Sequence, residues 1–186
     1  MPANIEIKAE LRDVHAAHAK ARILTGRAPQ VLHQTDIFFN CPNGRLKLRI
    51  SDAASDATAR GELILYQRPD AGGPRRSNYV IAKTSDPHIL RDILEQVLES
   101  AGTVKKVRSL YLAGQTRIHL DQVEGLGDFL EFEVVLKPGQ ADAEGTQIAQ
   151  ALMGEFGVQP ADLIQVAYVD LLRRRPGLHK NLPTLG

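Results

Sequence analysis

At 186 residues the chain suits one domain with a real core, since domains commonly run to about 100 to 200 residues. Lys and Arg total 23 against 22 Asp and Glu, so the net charge of +1 gives no general attraction to nucleic acid or membrane surfaces; any working charge must be local. The one cysteine, Cys41, excludes an internal disulfide, and no leader-like or membrane-length apolar run opens the chain, so the expected setting is reducing and cytoplasmic.

In chain order, Asn4 to Leu11 alternates apolar and polar residues as a strand with two unlike faces does. Asp13 is an N-cap candidate for a helix over Val14 to Thr25, with Gly26 closing it. Strands are predicted at Val31 to Phe39, Arg45 to Ile50, Glu62 to Arg68 and Ser77 to Lys83; the polar segment 51 to 61 is read as a turn or loop. Asp86-Pro87 opens a second helix, whose apolar residues Ile89, Leu90, Ile93, Leu94, Val97 and Leu98 recur at helical spacing. Three strands follow, Val104 to Leu112, Gln115 to Asp121 and Phe129 to Leu136, then helices over Asp142 to Phe156 and Pro160 to Arg173. Strands in consecutive runs, each associated with helices, indicate an antiparallel α+β fold rather than a doubly wound parallel sheet.

Charge follows parity. Arg45, Lys47 and Arg49 share one strand face, as do Lys106 and Arg108, Arg117, His119 and Asp121, and Glu131 and Glu133. A wet outer sheet face explains any one of these runs. Like charges concentrated on several strands fit better with an anionic partner, because like charges opposite one another destabilise a sheet. A sheet closed into a barrel would turn these polar faces inward around a small ligand. Arg and Lys neutralise phosphate oxygens, and carboxylates ligate the hard divalent ions that bridge phosphates.

The ordered set of motifs resembles the CYTH superfamily, the triphosphate tunnel metalloenzymes that include class IV adenylate cyclases, thiamine triphosphatases and inorganic triphosphatases. The resemblance rests on Asn4-Ile5-Glu6-Ile7-Lys8 (similar to ExExK), Gln34-Thr35-Asp36, Arg45-Leu46-Lys47-Leu48-Arg49, Lys106-Val107-Arg108, His119-Leu120-Asp121, the run Leu126 to Glu133, and Tyr168 to Leu172. It implies an eight-stranded antiparallel tunnel with flanking helices over residues 1–175, followed by a tail at 176–186. It also implies metal ligation by Glu6, Asp121, Glu131 and Glu133 with Mg2+ or Mn2+, and triphosphate binding by Lys8, Arg45, Lys47, Arg49, Lys106 and Arg108, with Arg68, Arg76 and Arg117 as secondary candidates. Asn4 stands where the first Glu of the motif is expected, and Asn78 where a further Glu is expected.

The activity expected is metal-dependent hydrolysis of a triphosphate (ATP, thiamine triphosphate or inorganic triphosphate). Class IV adenylate cyclase chemistry and a non-catalytic polyphosphate-binding module are the alternatives. No catalytic residue is assigned: His119 is read as either a tunnel-lining hydrogen-bonding group or an acid–base. No membrane or nucleic-acid partner is expected, and a homodimer is left open.

Overall fold

The computed structural model describes residues 2–53, 56–70 and 72–175; the 176–186 tail lies outside them. Eight strands and four helices follow in the order β1 (Ala3–Glu10), α1 (Val14–Thr25), β2 (Gln30–Phe39), β3 (Arg45–Ala53), β4 (Asp56–Gln67), β5 (Arg75–Thr84), α2 (Pro87–Val97), β6 (Ser100–Ala113), β7 (Thr116–Val123), β8 (Gly127–Val135), α3 (Asp142–Phe156) and α4 (Tyr168–Arg174). The strands close into an antiparallel barrel ordered β1-β5-β4-β3-β2-β6-β7-β8.

Closure explains the alternation. Along each strand one parity faces the helices and the other faces the barrel axis. Ile5 and Ile7 of β1, Ile118 and Leu120 of β7, and Leu130, Phe132 and Val134 of β8 form an apolar outer core with Ala17 and Ala21 of α1 and Ala149 and Leu152 of α3. Leu48 and Ile50 of β3 join Ile37 and Phe39 of β2 beneath Leu94 of α2. The apolar core therefore lies outside the barrel wall, and the charged parity lies inside it.

Local sequence positions the helices. Asp13 Oδ1 accepts a 2.9 Å hydrogen bond from the Ala16 amide, and Gly26 ends α1 at φ 63°, which a Cβ would disfavour. On α3, a Cβ at Gly145 would lie 2.7 Å from side-chain atoms of both Ile5 and Leu136; its absence lets the helix seat on β1. Asp86 precedes Pro87 as expected but makes no capping hydrogen bond; its carboxylate accepts from Ser85 Oγ.

Two predicted segments differ. Most of 51 to 61 is strand, because β3 and β4 stay paired to Ala53↔Asp56, so backbone pairing overrides the polar composition. The stretch predicted as one helix over 160 to 173 is a 3-10 turn at Pro160–Asp162, an extended link and the short α4. Leu163 bridges to Ala9, and the Ile164 amide donates to the Lys8 carbonyl at 2.8 Å, so sheet bonds displace helical ones.

That link also closes one end of the barrel. Ala167, Tyr168 and Val169 pack on Phe38, Val104, Val123 and Phe129, which lie where β2 and β7 end and β6 and β8 begin. At the other end, the starts of β1, β2, β4 and β7 and the ends of β3, β5, β6 and β8 surround an open mouth.

Candidate active site

Inside the barrel is a cavity of about 310 Å3, at the lower end of the range of small-ligand sites (about 300 to 1,000 Å3). Its wall carries seven basic side chains (Lys8, Lys47, Arg49, Arg68, Lys106, Arg108, Arg117) against five carboxylates (Glu6, Asp36, Glu62, Glu131, Glu133). Buried charge is costly unless paired, and most of these groups are paired.

On the β2–β3 side, Asp36 accepts from Arg49 Nε at 2.7 Å, from Arg49 Nη2 at 2.8 Å and from Lys47 Nζ at 3.0 Å, with Lys106 Nζ 3.6 Å away. Desolvation would raise the Asp36 pKa, but Arg49, Lys47 and Lys106 together hold it well below the usual carboxylate range. Burial and the neighbouring Arg49 pull Lys47 down to about 7, with Asp36 opposing them. Lys8 falls to about 8, chiefly by desolvation, against the pull of Glu131.

On the β6–β8 side, Arg108 Nε and Nη2 donate to the two oxygens of Asp121 at 2.6 Å each, and Nη2 also donates to Glu131 at 2.8 Å. Tyr168 Oη donates to Asp121 at 3.1 Å, and Lys106 Nζ is 3.6 Å from the same carboxylate. Lys8 Nζ lies 3.9 Å from the centre of the Tyr168 ring and 3.7 Å from Glu131. Glu6 is bonded to Arg68 at 2.7 Å, and Glu133 to Arg117 at 3.3 Å.

Among the described residues, His119, Glu131 and Glu133 present ligand atoms that all lie within 4.8 Å of one another. The register forces this, because His119 sits opposite Glu131 and Arg117 opposite Glu133. His119 Nδ1 is 3.5 Å from Glu131 and 3.9 Å from Glu133, and it is a buried nitrogen without a hydrogen bond. Asn4 Oδ1, on the same cavity wall, also lacks a partner. Although desolvation opposes ionisation, Lys8, His119 and Arg108 keep Glu131 well below its ordinary pKa; His119 and Arg108 lower that of Glu133. Two ionised carboxylates and an unoccupied imidazole nitrogen suit a divalent cation.

The barrel brings Glu6, Lys8, Lys47, Arg49, Arg68, Lys106, Arg108, Arg117, Glu131 and Glu133 to one cavity. Asp121 lies behind the wall, its oxygens occupied by Arg108 and Tyr168, so it supports Arg108 and is not exposed toward a metal. Arg45 has the inward parity but sits at the closed end, where it binds Asp170 at 2.7 Å and Asp70 at 3.2 Å and latches α4 to β3. Arg76 is on the outside: Ile5 pairs with Arg76 and Glu6 with Arg75, so the inward arginine of β5 is Arg75, while Arg76 binds Asn78 and Asp142. Acids and bases also interleave rather than segregate by strand.

Sequence reasoning missed Asp36, Arg75, Tyr168 and the metal-facing position of His119. Asp36 was within reach, since Gln34, Asp36 and Phe38 share the inward parity of β2.

The model of the CYTH domain family matches residues 2–168. Solved structures agree in fold: the PH1012 protein of Pyrococcus horikoshii superposes with a TM-score of 0.75 at 22% identity over 90% of this chain and 98% of that one. The PH1819 protein of the same organism superposes at 0.75 with 19% identity over 91% and 98%, and a protein of Vibrio parahaemolyticus described as a candidate adenylate cyclase at 0.69 with 20% identity over 91% and 97%. Nothing among curated proteins matches the chain. The barrel, the inward charges and the family match over residues 2–168 agree: the chain belongs to the CYTH domain family.

Proposed function

We propose that the protein is a divalent-metal-dependent enzyme acting on a triphosphate, and that it hydrolyses a phosphoanhydride bond. The observation that carries this reading is the excess of buried basic side chains around a cavity that also holds the His119, Glu131 and Glu133 cluster. A polyphosphate needs both.

In this reading Lys47, Arg49, Lys106 and Arg108 grip phosphate oxygens; Asp36 and Asp121 hold those bases in place before the ligand arrives, so little reorganisation is needed on binding. His119, Glu131 and Glu133 would hold the metal, with Asn4 Oδ1 a neutral further donor. The ion supplies Lewis-acid polarisation of a phosphoryl oxygen and an acidified water. Lys8, beside Glu131, neutralises charge developing on the phosphoryl oxygens. Hydrolysis needs only a positioned water, whereas cyclisation of ATP also requires a ribose hydroxyl held in line with the α-phosphate, so hydrolysis is the simpler demand on this wall.

Incubation with Mg2+ or Mn2+ and tripolyphosphate, thiamine triphosphate or ATP, with separation of products, tests the proposal. Metal-dependent release of inorganic phosphate supports hydrolysis. Pyrophosphate with cyclic AMP would replace it by cyclisation, and tight binding without product would make the protein a binding module.

A further inference from the structure

The cavity wall is uneven. Charged residues dominate the closed end and the β6–β8 side, but β4 and β5 contribute Ile64, Tyr66, Tyr79 and Ile81. Register places Ile64 opposite Ile81 and Tyr66 opposite Tyr79, so these four make one continuous apolar panel. Leu32, near the start of β2, and Leu110, near the end of β6, line the cavity at the same open mouth. Ile81 is 40% exposed, although a half-open aliphatic group in a charged cavity costs hydration with nothing to cover it. Glu62 of β4 also lines this end.

A tripolyphosphate is anionic along its whole length. With its inner end on the bases, its outer phosphate would lie among aliphatic groups and beside the Glu62 carboxylate, where desolvation and like-charge repulsion both oppose it. A triphosphate monoester has the complementary polarity, anionic at one end and carrying a flat, largely apolar group at the other. Tyr79 offers that group a ring to stack on, and Ile81 and Leu110 supply apolar contact.

We propose that Leu32, Ile64, Tyr79, Ile81 and Leu110 form a subsite for the organic group of a triphosphate monoester, so that the protein prefers organic triphosphates to inorganic tripolyphosphate. This rests on the triphosphate reading above.

The test measures kcat/KM, and Kd where turnover is absent, for ATP, thiamine triphosphate and tripolyphosphate with Mn2+, in the unaltered protein and in an Ile81→Ala, Leu110→Ala variant. Both side chains are partly exposed, so the variant folds, which its circular dichroism and melting temperature check. The expected result is a higher value for at least one organic triphosphate than for tripolyphosphate, with that ratio falling roughly tenfold or more in the variant. Preference for tripolyphosphate, or a ratio unmoved by the double substitution, would overturn the subsite while leaving the triphosphate reading intact. Failure of all three compounds to bind or react would overturn the triphosphate reading and the subsite with it.

Discussion

Arg108 and Asp121 form a two-bond ion pair, 2.6 Å on each arm, with the Asp121 side chain sealed from solvent behind the tunnel wall. Removing the carboxylate leaves Arg108 with only Glu131 and leaves Lys106 beside it with one fewer counter-charge. Breaking a buried pair from one side costs about 3 to 5 kcal/mol. Asp121→Ala should lose stability on that scale in urea unfolding; a loss under about 1 kcal/mol would contradict the supporting role assigned to Asp121.

The cluster on β7 and β8 makes a prediction about metal. Glu133→Gln keeps the shape of the side chain but removes one of two anionic ligands, so Mn2+ affinity should fall roughly tenfold or more. Titration followed by electron paramagnetic resonance reads this directly. Asp121→Asn serves as the contrast, because that carboxylate is turned away toward Arg108 and Tyr168; an equal loss in both variants would count against the ligand set.

Arg49 and Arg76 separate the inner and outer faces. Arg49→Ala should raise KM for a triphosphate about tenfold, the loss of one charge-assisted contact. Arg76→Ala should leave KM within about twofold, because its partners Asn78 and Asp142 lie outside the barrel. Steady-state kinetics on both variants decide the matter, and equal effects would mean that the β5 register is misassigned.

Much of this arrangement is legible in the sequence. β1, β3 and β8 each alternate strictly, so the inward residues Glu6 and Lys8, Lys47 and Arg49, and Glu131 and Glu133 follow from parity once the sheet closes. Pairing is another matter. Which acid meets which base depends on register between strands far apart in the chain, as when Asp36 of β2 holds Lys47 of β3 and approaches Lys106 of β6. Arg75 and Arg76 are adjacent and chemically identical, and only the pairing of β5 with β1 decides which faces inward. Tyr168 was hidden by a helical pattern over 160 to 173 that the sheet bonds of Leu163 and Ile164 interrupt.

Lys47 couples binding to protons. Its pKa is about 7 in the folded protein against 10.5 for an ordinary lysine, lowered by burial and Arg49. Between those values the unfolded chain holds a proton that the folded chain lacks. The Lys47 contribution to stability therefore rises with pH through this window and is least favourable below pH 7, where the buried amine is charged. An anionic ligand restores the charge, so triphosphate binding at pH 8 should take up protons. Calorimetry in buffers of different ionisation enthalpy measures the uptake, and Lys47→Met should reduce it by up to about one proton. An unchanged uptake in the variant would assign the proton elsewhere.

The most direct test of the central claim is a crystal structure of the protein soaked with Mn2+ and a slowly hydrolysed triphosphate, collected at the manganese edge. The account predicts an anomalous peak bound by His119, Glu131 and Glu133, with phosphate oxygens on Lys47, Arg49, Lys106 and Arg108. Manganese away from that cluster, or a triphosphate bound outside the barrel, would contradict it.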